Sequence, residues 1–270
     1  MYLFILLACT SRAPKADAPT PPPPKTSFEA LRPGLEMATF IGDPPSPVGD
    51  SRIVVVRIDP SVLDIVLLAA SSLGTSAKAP KAWVEQHGLL AATNAALYEP
   101  DYLTATFHMR QGDHINQAKL NPDANHFLLL DPIDGTLPAV QIVDRTCETV
   151  PFEAYRTVVQ GYRITDCEGN PAFKDRERIW SHASIGIDKS GRMLWLFSRS
   201  PWSTHDFAEV LTRLPLDLHR VQYAEGGPPA ALVLQKGKEQ WLGSYESGAF
   251  QNNENQTPFE LPFVLGVRPR

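Results

Sequence analysis

Short runs of β-branched and other apolar residues, broken by glycine-containing turns, restrict most strongly what this chain can fold into. Runs such as 53–58 and 63–68 are rich in Ile, Val and Leu, which favour strands. A short glycine turn between two such runs predicts a β-hairpin, because glycine adopts the backbone conformations that tight turns need. Three turns of this kind are Gln111-Gly112, Asp134-Gly135 and Lys189-Ser190-Gly191. We therefore expect antiparallel pairing to dominate the fold.

Two segments have the features of helices. The first runs from Pro80 to His87, with Gly88 placed to end it. The second begins after Ser203, whose side chain can cap it, shows the three- and four-residue apolar spacing of one helix face, and ends before Pro215. Because helices are few and do not alternate regularly with strands, the sequence predicts an α+β fold. We expect a single domain with a mixed, mainly antiparallel β-sheet core and a few flanking helices.

Proline is concentrated at the start of the chain. Ten of the 25 prolines lie in residues 1–50. A stretch dominated by Pro, Ala, Lys and Thr buries too little apolar surface to offset the entropy that ordering it would cost. We therefore expect a Pro-rich tether at residues 10–48 and a folded domain at residues 49–270.

An apolar run at residues 1–9 precedes this tether and ends in Leu6-Leu7-Ala8-Cys9. It is too short to span a bilayer, which takes about 20 apolar residues. The run is similar to the signal and lipobox of bacterial lipoproteins, in which the chain is cut before a cysteine that is then acylated. This resemblance implies lipidation at Cys9 and an exported protein of the cell envelope, anchored to a bacterial membrane. An ordinary cleaved signal, or an apolar N-terminus without a targeting role, is the alternative.

The remaining cysteines and the charge limit which partners to expect. Cys147 and Cys167 form an even pair, which in an exported protein favours a disulfide, with two unpaired buried thiols as the alternative. Neither a C-x-x-C nor an H-x-x-x-H spacing occurs, so we expect no metal, and nothing indicates a cofactor. The formal net charge of -5 without a basic run indicates no nucleic-acid partner.

Five stretches together resemble a known family. They are 91–102, which contains Asn94, then 158–164, 181–188, 221–228, which contains Glu225, and 262–267. In order and spacing they resemble the phosphodiester glycosidase domain family. Asn94 stands at the family's asparagine and Glu225 at its aspartate, whereas His182 replaces an arginine and Pro228 a serine. The resemblance implies hydrolysis of a sugar-1-phosphodiester linkage in an envelope or extracellular polysaccharide, with a carbohydrate or glycosyl phosphate as the substrate.

The chemistry of such a reaction selects candidate residues. The bond to the anomeric carbon breaks through an oxocarbenium-like state that a carboxylate stabilises, while the leaving phosphate needs cationic or N–H partners. We therefore expect Glu225, His182 and Asn94 to be catalytic. Arg163, His182 and Arg110 are candidate phosphate contacts. The candidate substrate-binding residues are Arg163, Gly226, Gly227, Tyr98, His205 and Asp206.

Each candidate also has a plainer interpretation. Glu225 is then a solvated turn residue, His182 a hydrogen-bonded strand histidine and Asn94 a turn amide, while His205 and Asp206 serve the start of their helix. Three functions stay open. A glycoside hydrolase-type phosphodiester glycosidase is favoured; the others are a catalytically inactive relative that binds a surface glycan or assists polysaccharide export, and a structural lipoprotein. An enzyme should place Glu225, His182 and Asn94 around one concave site, whereas a binding module would keep the cleft while Glu225 points away.

Overall fold

The structure, a computed structural model, describes residues 27–234, 237–247 and 256–270. The expected signal and lipidation site at Cys9 lie outside these residues. The helices are α1 (Ala70–Leu73), α2 (Pro80–Gln86) and α3 (Thr204–Arg213). The strands are β1 (Glu29–Arg32), β2 (Leu35–Ile41), β3 (Arg52–Ile58), β4 (Leu63–Ala69), β5 (Ala91–Asn94), β6 (Met109–Gln111), β7 (His114–Gln117), β8 (His126–Pro132), β9 (Val140–Asp144), β10 (Tyr155–Gly161), β11 (Trp180–Asp188), β12 (Met193–Trp202), β13 (Leu218–Gly226), β14 (Ala231–Leu234), β15 (Glu239–Leu242) and β16 (Phe263–Pro269).

Three sheets build the fold. The first has six strands in the order β1-β2-β3-β12-β11-β13, the second has five in the order β7-β6-β10-β8-β9, and the third has five in the order β15-β14-β5-β16-β4. Every pairing between these described strands is antiparallel. The expected hairpins β6–β7, β8–β9 and β11–β12 all form across their predicted turns. Dominant antiparallel pairing is thus confirmed. The expected mixed sheet is not found, because no two of the described strands pair in parallel.

One hydrophobic core joins the three sheets. Along β12, Met193, Trp195 and Phe197 point into a core that also takes residues from the second and third sheets. Leu194 and Leu196 point the other way and pack with the apolar side of α3. This alternation follows from the two-residue period of a strand and gives the first sheet two buried faces. The shared core makes the chain a sheet-rich single domain with few helices.

Both helices expected from the sequence are present. α2 begins at Pro80, and Gly88 follows its end with a positive φ of 62°. Ser203 caps α3 by accepting a hydrogen bond from the Asp206 N–H at 3.0 Å. α1 has only four residues and was not expected. None of the helices in the described part of the chain has both the length and the apolar character that crossing a membrane requires.

The expected tether at residues 10–48 is too long, because its last part is folded. β1 and β2 pair with each other, and β2 pairs along its whole length with β3. Ala38 and Phe40 of β2 are buried against the face of the sheet that α3 covers. The prolines at positions 33, 44, 45 and 47 lie in the turns on either side of β2, where a missing N–H disrupts no strand pairing. The folded domain therefore includes residues 29–41.

A disulfide joins Cys147 and Cys167, whose Cα atoms lie 6.4 Å apart. Cys147 follows the end of β9, and Cys167 lies in the loop after β10. The bond therefore ties a turn of the second sheet to a segment that runs alongside β13, where Arg163 forms an isolated bridge to Gln222.

Candidate functional site

Glu225 lies at the end of β13 and is buried rather than solvated. It pairs with Ala183 of β11 at a β-bulge, and the next residue, Gly226, pairs with His182. Its side chain is 7% exposed and accepts a hydrogen bond from the Gly226 N–H at 2.9 Å. Burial raises the pKa of Glu225 to about 8; the Gly226 N–H acts against this rise and the nearby Glu246 adds to it. Glu225 is therefore a neutral carboxylic acid at pH 7.

A second carboxyl group, that of Glu246, stands beside the end of β13. The segment 245–247 pairs with the start of β11: Ser181 N–H donates to the Tyr245 carbonyl, and Ser247 N–H donates to the Ile179 carbonyl, both at 3.0 Å. Glu246 Oε2 lies 3.4 Å from the position that a Cβ on Gly227 would take. Its side chain is exposed, so a buried acid and an exposed carboxylate lie at the same strand end.

The two glycines after Glu225 allow close packing at this strand end. A Cβ on Gly226 would lie 2.0 Å from the Tyr223 hydroxyl and 2.7 Å from Cδ1 of Trp180. Gly227 has a φ of 69° and donates its N–H to the Ser181 carbonyl. The sequence placed both glycines among the substrate-binding candidates; in the structure Gly226 lets the backbone approach two aromatic side chains of the chain itself, and Gly227 lies beside Glu246.

Asn94 holds the loop that follows these glycines. Its side chain is 1% exposed at the end of β5. The amide nitrogen donates to the Pro229 carbonyl at 3.1 Å, and the amide oxygen accepts from the Ala231 N–H at 2.7 Å. Both polar atoms of the amide are thus used within the chain. The Asn94 side chain therefore holds the loop at 229–231 in place.

Tyr98, a substrate-binding candidate from the sequence, lies close enough to Glu225 for the two groups to interact electrostatically. Its ring is half-buried against Phe263, with ring centroids 6.2 Å apart, and the Tyr102 ring lies 5.4 Å away. Burial raises the pKa of the Tyr98 phenol, and the charge of Glu225 raises it further. The structure thus brings Tyr98, Glu225, Gly226 and Gly227 together.

His182 belongs to the core, contrary to the expected catalytic or phosphate-binding role. The ring is fully buried, stacks on Phe207 of α3 with centroids 4.2 Å apart, and its Nε2 contacts the Trp202 carbonyl at 3.0 Å. Burial lowers the pKa of His182 to about 4, so the ring is neutral and Nε2 donates. Neighbouring residues of a strand point to opposite faces, so His182 faces away from the side that Ala183, the partner of Glu225, takes.

The two arginines expected to hold phosphate are engaged elsewhere. Arg163 donates from Nη1 to Asp144 Oδ2 at 3.0 Å and to the Thr146 hydroxyl at 2.9 Å. Arg110 donates from Nη2 to two backbone carbonyls in the segment before and at the start of β10. Both guanidinium groups therefore support the second sheet and the turn after β9.

His205 and Asp206 serve the start of α3, which was their plainer interpretation. Asp206 accepts from the Ser203 hydroxyl at 2.8 Å. Arg176 contacts both residues and also Glu209. The Arg176 guanidinium therefore supplies the cation that this acidic cluster attracts.

Two groups of side chains in the described ranges have ligand atoms close enough to share a metal ion. One is Asp144 with Cys147 and Cys167, but the two sulfur atoms are bonded to each other in the disulfide. The other is the cluster around His205 that Arg176 occupies. We therefore assign neither group to a metal.

A groove of about 640 Å³ lies elsewhere, between the edge strand β4 and the second sheet. Leu67 and Thr157 stand on its opposite walls, and none of the candidate residues lines it. The carboxyl pair thus lies at a strand end outside this groove.

Three residues of this site had no signal in the sequence. Trp180 and Tyr223 pack over Gly226, and Glu246 provides the second carboxyl. Glu246 reaches the site only because the segment after β15 pairs with the start of β11.

The fold and this site define a sheet-rich single domain with a buried carboxylic acid beside a second carboxylate.

No family model matches the chain, and no curated protein matches it. Among solved structures, the chain is similar to the zebrafish N-acetylglucosamine-1-phosphodiester alpha-N-acetylglucosaminidase catalytic domain auto-inhibited by its pro-peptide. The TM-score is 0.62 at 13% identity, over 90% of this chain and 86% of that one. A hypothetical protein from Synechocystis is similar at a TM-score of 0.61 and 13% identity, over 95% of this chain and 65% of that one. At these identities the likeness establishes the fold alone.

Proposed function

We propose that this chain is a glycoside hydrolase-type phosphodiester glycosidase, which hydrolyses a sugar-1-phosphodiester linkage with Glu225 and Glu246. The observation that carries the proposal is a carboxyl group kept neutral at pH 7 next to a second, exposed carboxylate. Glycoside hydrolysis uses such a pair, one carboxyl as the acid and the other as the carboxylate. The fold shared with a phosphodiester glycosidase catalytic domain supports the choice of linkage.

The two carboxyl groups take different parts in the reaction. Glu225 donates its proton to the phosphate oxygen as the bond from that oxygen to the anomeric carbon breaks. The Glu246 carboxylate stabilises the positive charge on the anomeric carbon and accepts the proton of the water that adds there. A neutral Glu225 also suits an anionic substrate, because a carboxylate at that position would repel the phosphodiester. Glu225 is thus proposed as the acid, whereas the sequence suggested a charge-stabilising carboxylate.

A catalytically inactive, glycan-binding relative is the second candidate, and one observation favours it. Arg163, Arg110 and His182, the expected phosphate contacts, each hydrogen-bond to other parts of the chain. A leaving phosphate is stabilised by cations and N–H donors, so their engagement elsewhere weakens the case for catalysis. A glycan ligand needs only the aromatic rings and hydrogen-bonding groups at the site.

Sugar release by the purified full-length protein separates these candidates. The substrates are a panel of glycosyl-1-phosphodiesters, including nucleotide sugars, at pH 7. We expect release by the wild type, and a loss of at least about a hundredfold in Glu225→Gln and in Glu246→Gln. Glu85→Gln, an exposed substitution on α2, is the control and should match the wild type. A folded wild type that releases no sugar would reject the enzyme, and full activity in Glu225→Gln would reject Glu225 as its acid.

We also propose that the protein is exported to the cell envelope of a bacterium and anchored through a lipid on Cys9. The disulfide between Cys147 and Cys167 supports an oxidising compartment. Mass spectrometry of the protein from its native membranes should find an acylated N-terminal Cys9. An unmodified chain that retains the residues before Cys9 would contradict the anchor.

A further inference from the structure

The loop between β5 and β6 holds Tyr102 in an uncommon backbone conformation. Its φ is 56°, in the left-handed region that a bulky side chain rarely enters. Local hydrogen bonds hold it there: the Tyr102 N–H donates to the Glu99 carbonyl at 3.0 Å, and Asp101 accepts from the next two N–H groups at 2.9 Å. Strained positions of this kind often lie at ligand sites, where surrounding contacts maintain them.

This conformation places an exposed aromatic ring beside Tyr98, whose phenol is close enough to Glu225 to interact with its charge. The Tyr102 side chain is 40% exposed, and its ring centroid lies 5.4 Å from that of Tyr98 at an interplanar angle of 47°. Tyr98 is in turn fixed to the core by its edge-to-face contact with Phe263. The loop therefore offers two adjacent rings, one anchored beside Glu225 and one open to solvent.

We propose that Tyr102 and Tyr98 form a stacking platform for a pyranose ring, and that Tyr102 determines which saccharides the site accepts. The role of the platform in the reaction rests on the proposed function, but its binding of saccharides can be measured independently of hydrolysis. A tyrosine face is apolar while its hydroxyl edge is polar, which matches the C–H face and hydroxyl rim of a sugar. Tyr98 is the member of the pair that lies closer to Glu225, so a sugar ring stacked on the platform would lie on the Glu225 side of the loop.

A purely structural role would favour a different residue at this position. Glycine enters the left-handed region without the steric cost that a Cβ brings. If Tyr102 only closed the loop, glycine would serve at least as well. The presence of a tyrosine is explained by the contacts of its ring, with Tyr98 and, in our proposal, with a bound sugar.

Saccharide affinity and thermal stability, measured on the same variants, test the platform. The parent is the full-length protein with Glu225→Gln, so that a bound saccharide is not hydrolysed. The probes are the methyl α-pyranosides and 1-phosphates of glucose, galactose, mannose and N-acetylglucosamine, followed by saturation-transfer NMR. To this parent we add Tyr102→Gly, Tyr102→Phe or Asp131→Gly. The last is a control because Asp131 also has a positive φ, of 57°, but is an exposed residue of β8 in the second sheet.

We expect Tyr102→Gly to weaken binding of the preferred saccharide about tenfold without lowering the unfolding temperature. Tyr102→Phe and Asp131→Gly should keep the affinity within about twofold of the parent. Unchanged affinity in Tyr102→Gly, or no binding of any probe by the parent, would overturn the platform. Binding that depends on Tyr102, in a protein whose wild type releases no sugar, would leave the platform standing and reject the hydrolase.

Discussion

The buried carboxyl of Glu225 should make the stability of this protein fall as pH rises. Its pKa increases from the ordinary value of 4.5 to about 8, so in that interval the folded chain keeps a proton that the unfolded chain releases. The stability that Glu225 contributes is therefore fully present below pH 4.5 and is lost as pH rises through about 8. Because one pKa unit corresponds to about 1.4 kcal/mol, the total loss is on the order of 5 kcal/mol.

Glu225→Gln should remove this loss, because glutamine stays neutral and its oxygen still accepts the Gly226 N–H. We expect the variant to match the wild type near pH 4.5 and to exceed its free energy of unfolding by roughly 3 kcal/mol at pH 7, with a larger gain at pH 9. Urea unfolding of both proteins from pH 4.5 to 9 measures the difference, with Glu85→Gln as the control. Parallel curves over this range would refute the burial of a neutral acid. A gain in stability together with a loss of sugar release is expected of a group kept for function.

Three other substitutions test the neighbouring structure. Burial lowers the pKa of His182 to about 4, so the folded protein loses stability as pH falls from 6.5 to 4. His182→Phe should remove this loss of roughly 3 kcal/mol, which urea unfolding at both pH values measures. Replacing Cys147 and Cys167 together by Ser should cost about 3 kcal/mol of unfolding free energy, since the disulfide closes a long loop. Asn94→Ala removes both hydrogen bonds to the loop at 229–231, and calorimetry should find about 2 kcal/mol lost together with reduced sugar release.

Local features of the fold could be predicted because local physics determines them. The glycine turns set the hairpins, and the Ser203 cap set the start of α3. The sequence did not predict β1 and β2, because the many prolines in residues 1–50 indicate an extended tether and the alternating apolar pattern of β2 is short. Only pairing with β3 and the cover of α3 bury Ala38 and Phe40, and neither is visible in that segment alone.

The site depends more on distant contacts, so less of it could be predicted. Glu225 was identified because the stretch 221–228 resembles a family motif in which an aspartate stands at this position. His182 is fully buried against Phe207, whose position depends on how α3 packs on the sheet. Glu246 approaches Glu225 because Ser247 pairs with a residue 68 positions away, and nothing near Glu246 in the sequence indicates that pairing.

The pH dependence of sugar release tests the central claim most directly, namely that a neutral Glu225 acts as the acid. The rate is measured from pH 5 to 10 on the glycosyl-1-phosphodiester that the full-length wild type hydrolyses best, with Glu225→Gln measured alongside. Because the proton donor is lost as Glu225 ionises, we expect the rate to fall above pH 8 and to be near background in the variant at every pH. A rate that stays constant or increases through this range, or one that Glu225→Gln leaves unchanged, would contradict the claim.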